Sequence, residues 1–249
     1  MSSVLTLRLA GPLQAWGVSA RFTRRTTETA PTKSGVIGLL AAAQGLARDA
    51  DLSALAALRF AVRVDQPGTR IRDFQTAHHL DTGDSMPLSE RFYLADAVFV
   101  AAVQGEPGLI ADLFEAVRAP AYLPYLGRRS CPPSPPVEPA VQHAALLDQA
   151  LAGEPWRAAE WYQHKRRDEA TVSLTVLSEP GRDAPVGAAG ADSWRDQPLS
   201  FDPRHRRHAL RTVVTSTVTV ANPHARTPPP PRPRPTAPAH DPTGPLEGV

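Results

Sequence analysis

Cysteine is almost absent from this chain of 249 residues, which contains only Cys131. A single cysteine excludes an internal disulfide and any zinc site built from several cysteines. The sequence also lacks a run of about 18 apolar residues, so we expect no membrane-spanning helix. Its first residues, MSSVLTLRLAGP, do not have the charged, apolar and cleavage regions of a signal peptide. These absences predict a cytoplasmic protein that has no membrane partner.

Lysine is also scarce, because only Lys33 and Lys165 occur and all other members of the 27 basic residues are arginine. Arginine carries a planar group that binds phosphate through two hydrogen bonds and stacks on bases. A GC-rich genome would produce the same bias without a functional cause. The net charge of +2 is small. Composition therefore permits RNA binding but does not demonstrate it.

Familiar catalytic motifs are missing too. The sequence contains no HExxH, GxSxG or Walker A motif, and Cys131 has no plausible histidine and asparagine partners. We therefore expect no cofactor, no metal and no catalytic residue. One enzymatic alternative stays open, because metal-independent cleavage of RNA needs only a histidine, tyrosine or lysine near the scissile phosphate. The candidates for such an endoribonuclease are His78, His79, Tyr125 and Lys165.

The first half of the chain predicts an α+β fold. Alternating apolar and polar residues indicate half-buried strands, and apolar stretches behind capping residues or proline indicate helices. Residues 67–90 show no clean period and are interpreted as an inserted loop or hairpin. With one more strand this order is that of a ferredoxin-like (RRM-like) βαββαβ domain, which many RNA-recognition modules use. The strands are expected at 4–10, 58–64 and 93–103, and the helices from about Thr32 and from Pro107.

The second half of the chain has a weaker pattern. We expect a helix within 140–152, strands near 172–176 and 214–220, and a Gly/Ala-rich loop at 187–192. The Pro-rich segment from Asn222 onwards cannot bury enough apolar surface to fold, so we expect a disordered tail. The predicted division is a ferredoxin-like RNA-binding domain at 1–140, a smaller β-rich region at 141–221 and the tail at 222–249.

Three loops carry glycine together with basic residues: GPLQAWG (11–17), PTKSG (31–35) and YLGRRSCPP (125–133). Trp16 offers a flat face on which a base can stack, although an isolated tryptophan is more often a core anchor. Lys33 and Ser34 lie at a helix N-terminus that suits a phosphate, although alone they fit an ordinary capped helix better. The arginine pair after Gly127 is either solvated surface or part of a binding loop. Each loop by itself leaves a purely structural explanation open.

In this order, the loops resemble those of the Cas-five family of CRISPR-associated proteins (RAMP superfamily), in the group that serves type I-E Cascade complexes. The resemblance implies an RNA-binding protein that caps one end of the Cascade ribonucleoprotein in antiviral defence. It implies contacts with the 5′ handle of the CRISPR RNA, the backbone subunit and the large subunit, and with target DNA only through the complex. The matching segments are LRLAGPLQAWG (7–17), RRTTETAPTKSGVIGLLAAAQG (24–45), RDFQTAH (72–78), LSERFYLADAVF (88–99) and YLPYLGRRSCP (122–132), and SFDPRHRRHALR (200–211) also looks familial.

The resemblance further implies a non-catalytic subunit, because a separate protein cleaves the precursor RNA in this subtype. A relative in another subtype does cleave, which keeps the endoribonuclease as the alternative. The insert at 67–90 corresponds to the family's thumb, which reaches over the RNA. Arg25, Lys33, Arg128 and Arg129 are expected to neutralise phosphates. The complete set of expected RNA-contacting residues is Gly11, Gln14, Trp16, Gly17, Arg25, Lys33, Ser34, Arg72, Tyr125, Gly127, Arg128, Arg129 and Ser130.

Overall fold

The computed structural model describes residues 2–18, 23–181 and 191–226. Within these ranges the chain forms strands and helices that are numbered in chain order. The strands are β1 (Ser3–Ala10), β2 (Leu13–Gln14), β3 (Arg24–Arg25), β4 (Arg59–Gln66), β5 (Thr69–Gln75), β6 (Ser89–Ala95), β7 (Val98–Gly105), β8 (Glu138–His143), β9 (Thr171–Ser178), β10 (Ala191–Ser200) and β11 (Arg207–Ala221). The helices are α1 (Lys33–Ala43), α2 (Ser53–Ala56), α3 (Pro107–Arg118), α4 (Leu147–Gly153) and α5 (Glu160–Lys165).

A seven-stranded antiparallel sheet in the order β10-β11-β9-β4-β7-β1-β8 organises the protein. Strand side chains alternate between its two faces. Leu5, Leu7 and Leu9 face the core that α1 and α3 cover, whereas Val4 belongs to the smaller core under α4. The sheet therefore has helices on both faces, and the fold is of the mixed α+β class. No helix in the described ranges is long and apolar enough to cross a membrane.

The first half of the chain contains the predicted order of strands and helices. The elements β1, α1, β4, β7, α3 and β8 follow one another, and their strands are neighbours in the order β4-β7-β1-β8. Thr32 caps α1, because its hydroxyl accepts a hydrogen bond from the backbone N–H of Gly35. Pro107 occupies the first turn of α3 behind the N-cap Glu106. The positions of both helix starts are confirmed.

The expected strand at 93–103 was wrong, because the structure divides it into β6 and β7. The chain bends at Asp96, whose φ of 55° lies in the left-handed region that aspartate tolerates better than most residues. The strand β6 leaves the main sheet and pairs with β5, so the predicted hairpin is real but extends to Ala95. The residues between β1 and α1 contain the short strands β2 and β3, which were not predicted and which pair with β6. Strands of two residues show no periodicity from which they could be predicted.

Strands from the second half extend the same sheet, since β9 pairs with β4. The predicted helix within 140–152 is confirmed as α4, and the predicted strands as β9 and β11, whereas β10 and α5 were not predicted. The sequence of β10, ADSWRDQPLS, is too polar to show a strand pattern. The predicted Gly/Ala-rich loop at 187–192 lies mostly outside the described residues, as does the tail from 227 onwards. The division into regions 1–140 and 141–221 stays a prediction.

Candidate nucleic-acid interface

The three glycine-bearing loops meet beside the N-terminal half of α1. The backbone N–H of Ala15 donates to the carbonyl of Leu126 at 3.1 Å. Gly127 has a φ of +84°, and a Cβ at this position would overlap the carbonyl oxygen of Ala15. A Cβ at Gly35 would lie 2.8 Å from the indole of Trp16. These glycines therefore allow the loops to pack closely on one another.

A cleft of about 800 Å³ opens where these loops adjoin α1 and the β10–β11 connection. Small residues of α1 form its floor, and aromatic side chains and arginines stand around it. None of the residues that line it is acidic. Such a combination suits a chain of phosphates with flat bases. The floor includes Gly35, Gly38, Ala41 and Ala42, the aromatic rings belong to Trp16, Tyr122, Tyr125, Phe201 and His208, and the arginines are Arg48, Arg129 and Arg206.

His208, near the start of β11, is one of the residues that line the cleft. Burial lowers the pKa of its imidazole below the ordinary value of 6.5, and the charge of Arg206 lowers it further. Asp196 opposes this shift. The imidazole is therefore neutral at pH 7, and a phosphate bound nearby would favour its protonation.

Among the described residues, six of the predicted RNA-contacting residues line the cleft: Trp16, Gly17, Ser34, Tyr125, Gly127 and Arg129. Ser130 is exposed next to them, and Gly11 is half-buried with the carbonyl of Pro132 packed on it. The prediction missed residues that other segments contribute to the cleft. Arg206 and His208 belong to the HRRH segment, whose cluster of basic residues was the signal that could have identified them. The other missed residues are Arg48, Tyr122 and Phe201.

Trp16 and Gln14, two of the predicted RNA-contacting residues, have internal hydrogen-bonding roles in this structure. Trp16 is completely buried, and its indole N–H donates to the Gln14 side-chain oxygen at 3.1 Å. The Gln14 amide nitrogen donates to the carbonyls of Leu9 and Ala97. Both side chains therefore have their hydrogen-bond partners inside the core, and the Trp16 ring borders the cleft from beneath its surface. This arrangement agrees with a core anchor, and contact of either residue with RNA stays a prediction.

The side chain of Lys33 is buried, whereas a lysine that binds a phosphate would have to be accessible. Its ammonium group forms a buried ion pair with Glu179 at 2.8 Å, and burial lowers its pKa despite this partner. Its backbone N–H donates to the carboxylate of Asp196 at 2.8 Å. The anion at the N-terminus of α1 is thus a side chain of β10 rather than a phosphate. Asp196 is held in turn by Arg211 through two hydrogen bonds.

Arg128 also has an internal role that the sequence did not indicate. Its guanidinium donates to the carbonyls of Phe92, Arg25 and Thr26 at 3.0, 2.8 and 3.1 Å. It also lies over the Tyr93 ring, 5.0 Å from the centroid. Arg128 therefore ties the base of the hairpin to the rim of the cleft, and only its neighbour Arg129 is free to face a ligand.

The hairpin formed by β5 and β6 presents a second group of arginines. Arg72 forms an ion pair with Glu90 at 3.1 Å and lies 4.8 Å from the Phe74 centroid. Arg24 and Arg70 both lie over the ring of Phe92. Arg25 is exposed on β3, beside this hairpin. The predicted residues Arg25 and Arg72 thus belong to the hairpin surface rather than to the cleft lining.

The candidate nuclease residues are not brought together. His78 and His79 lie in the hairpin loop, where the His78 Nδ1 is 3.2 Å from the Gly83 carbonyl. Lys165 lies at the end of α5, and only Tyr125 lines the cleft. A general acid and a general base must both reach the same phosphate. The four residues therefore do not form one catalytic site.

Comparison with known proteins agrees with this architecture. The family described as "CRISPR-associated protein (Cas_Cas5)" matches residues 4–214. The Cascade subunit CasD of the CRISPR system of Escherichia coli strain K12 is 36% identical over 211 residues, which cover 75% of this chain and 90% of CasD. The fold and the match over nearly all described residues define a CRISPR-associated protein.

Two solved structures support the same assignment. One, described as a CRISPR RNA-guided surveillance complex, has a TM-score of 0.70 and 32% identity and covers 90% of this chain and 94% of its own. Another, described as the crystal structure of a Cas protein, has a TM-score of 0.61 and 32% identity, with coverage of 91% and 100%. The chain belongs to the Cas5 family, in the group that includes CasD, and its role is in CRISPR defence.

Proposed function

We propose that the cleft holds the 5′ handle of a CRISPR RNA and that the protein caps one end of a Cascade-type surveillance complex. The carrying observation is that the described residues line this cleft with three arginines and five aromatic rings and include no carboxylate. A hooked single strand exposes phosphates and splayed bases, which arginines and aromatic rings bind. The similarity to a Cascade subunit and to a surveillance complex supports the same proposal.

We also infer that β1, α1, β4, β7, α3 and β8 form a ferredoxin-like unit. Their order along the chain and the strand order β4-β7-β1-β8 both support this inference. In such a unit the hairpin of β5 and β6 is inserted between the second and third strands, and Arg128 fastens it beside the cleft. The hairpin is thus placed to serve as the thumb that reaches over bound RNA, with Arg25 and Arg72 on its surface.

The proposed role is non-catalytic. The dispersal of His78, His79, Tyr125 and Lys165 argues against the endoribonuclease alternative. Within the complex we expect contacts with a backbone subunit and a large subunit, and with target DNA only through the assembly. Incubating the purified chain with repeat RNA in EDTA tests the alternative, and a defined cleavage product would establish it.

The experiment that tests RNA holding is reconstitution with guide RNA after replacing Arg129 and Arg206 by alanine. Three arginine contacts predict a log–log salt slope of about −2 for the wild type, since each contact to a single strand contributes about 0.7. The double variant should therefore bind more weakly, and its slope should be smaller by about 1.4. Arg128 is left intact, because replacing it would also remove three internal hydrogen bonds.

The matched control is Arg118→Ala, which removes one exposed arginine from α3, away from the cleft lining. It should leave retention of the guide RNA unchanged. A second comparison uses RNA with a scrambled handle, for which wild-type binding should be weaker. Unchanged RNA retention and salt dependence in the Arg129→Ala, Arg206→Ala variant would overturn the proposal.

A further inference from the structure

A second basic and aromatic surface lies around α5, away from the cleft. Trp161 on this helix is 56% exposed, which is unusual for so large an apolar side chain. The HKRR segment continues from it, and the chain after β11 runs alongside. We call this region the α5 surface and define it by Trp161, His164, Lys165, Arg167, His224 and Arg226.

The exposed indole of Trp161 is held rigidly from below. It packs edge-on against Tyr162, with ring centroids 5.6 Å apart at 88°. Tyr162 packs in turn against the buried Trp156 at 6.0 Å. The indole N–H of Trp156 donates to the carbonyl of Asp65 at 2.9 Å. The indole of Trp161 therefore has aromatic packing on one side, and much of its surface is open to a ligand.

The segment after β11 is fastened to α5 and completes this surface. The side-chain amide of Asn222 donates to the carbonyls of Gln163 and Arg166 at 3.3 and 2.9 Å. The ring of His224 lies against that of His164, with centroids 4.0 Å apart. The backbone N–H of Arg226 donates to the carbonyl of Arg167 at 2.8 Å. Two segments distant in sequence thus present their cationic residues side by side.

The charges of this surface are only partly neutralised within the protein. Glu169 pairs with Arg166 at 2.6 Å and Asp168 with Arg226 at 3.1 Å. Lys165 and Arg167 form no ion pair with any residue in the described ranges. Cations without internal partners, next to an exposed aromatic face, are the features with which proteins bind single-stranded nucleic acid.

We propose that the α5 surface binds single-stranded nucleic acid, with a base stacked on Trp161 and phosphates on Lys165 and Arg167. It is separate from the cleft, because β11 begins at Arg207 beside the cleft and ends at Ala221 beside α5. A strand of 15 residues spans about 45 Å at the usual rise per residue. The proposal goes beyond handle binding and does not depend on it.

The experiment uses the full chain in the Arg129→Ala, Arg206→Ala background, in which the cleft is weakened. Fluorescence anisotropy with labelled oligo(rU) and oligo(dT) of about 30 nucleotides measures the remaining affinity. Trp161→Ala should weaken it about tenfold, whereas Trp161→Phe should lose less because a ring remains. Lys165→Gln with Arg167→Gln should reduce the salt slope by about 1.4.

The matched control is again Arg118→Ala, which should change neither affinity nor slope. Equal effects on the two strands would support a site for either nucleic acid, and a larger effect on one would identify guide RNA or a DNA strand as its ligand. Unchanged affinity of Trp161→Ala for the labelled strands would overturn the proposal. If that variant also loses subunits that co-purify with the wild type, the α5 surface binds a protein instead. Failure of the handle proposal can be told apart from failure of this one. It would appear as unchanged guide-RNA retention when Arg129→Ala and Arg206→Ala are introduced into the otherwise native chain.

Discussion

At the scale of single residues, Arg128 and Arg129 show that neighbouring identical side chains can have opposite roles. Arg128 donates to three backbone carbonyls, whereas Arg129 lines the cleft. The sequence GRR contains nothing that distinguishes them, because their directions follow from the left-handed turn at Gly127 and from carbonyls more than 30 residues away in the chain. A pair of basic residues can be recognised in a sequence. The sequence does not show which of the two is available to a ligand.

The titration of His208 leads to a prediction about pH. Since the pKa of the free imidazole is lowered and a bound phosphate raises it, binding is accompanied by proton uptake. The affinity for single-stranded RNA should therefore increase as the pH falls from 7 towards about 5.5, by up to about tenfold for each unit by which binding raises the pKa. Anisotropy titrations at several pH values, at constant ionic strength, measure this effect.

The variant His208→Gln should remove most of this pH dependence. His205→Gln is the matched control, because His205 is exposed in the same HRRH segment and does not line the cleft. Because the pKa of His208 is lowered in the folded state, the free energy of unfolding decreases as the pH falls. RNA affinity must therefore be measured at pH values where the chain is still folded. An equal pH response in wild type and His208→Gln would contradict the assignment.

At the scale of elements, the end of α4 depends on a single buried arginine of β4. All five N–H groups of Arg63 have acceptors: two go to Asp65 and three to the carbonyls of Leu151, Glu154 and Pro155. Leu151 lies in the last turn of α4 and Glu154 and Pro155 follow it, so helix geometry supplies no partner for their carbonyls. Arg63 therefore caps the helix and attaches it to the sheet.

Replacing Arg63 by methionine should lower the free energy of unfolding by about 3–5 kcal/mol, because Asp65 would keep a buried charge without its partner. Burial already raises the pKa of Asp65. The variant should therefore regain part of its stability as the pH falls, since the folded state takes up a proton more readily than the unfolded state. Urea unfolding at several pH values tests both effects. Arg59→Met, half-buried on the same strand, should cost much less.

Predictability from sequence differs between elements for physical reasons. The helices α1 and α3 were predictable because caps, proline and apolar spacing act locally. The division between β6 and β7 was not, since one residue with positive φ redirects an uninterrupted apolar run. The strand β10 was missed because its stability comes from pairing with β11 and from the contact of Asp196 with α1. Tertiary contacts decide such elements, and propensity does not.

At the scale of the whole molecule, the cleft is built from distant parts of the chain. Its floor comes from α1 and one rim from the loop around Gly127, whereas Phe201 and Arg206 come from the β10–β11 connection and His208 from the start of β11. The sequence indicated the first two parts, because they carry glycine and arginine in short loops. It marked the third part only as a basic, familial segment, since only folding brings residues so far apart in the chain to one place.

Buried charged residues connect these parts of the chain. Their replacement therefore tests how the walls of the cleft are held in position. The carboxylate of Asp196 accepts from the backbone of Lys33 and from the guanidinium of Arg211. Asp196→Asn should lower the free energy of unfolding by about 3 kcal/mol, because Arg211 then keeps a buried charge with only Glu179 near it. It should also weaken RNA binding at a temperature where the variant is fully folded, although Asp196 does not line the cleft. Asp192→Asn, exposed on the same strand, should change neither property. Wild-type affinity in a destabilised Asp196→Asn would mean that the cleft wall is positioned without this carboxylate, and that β10 contributes stability alone.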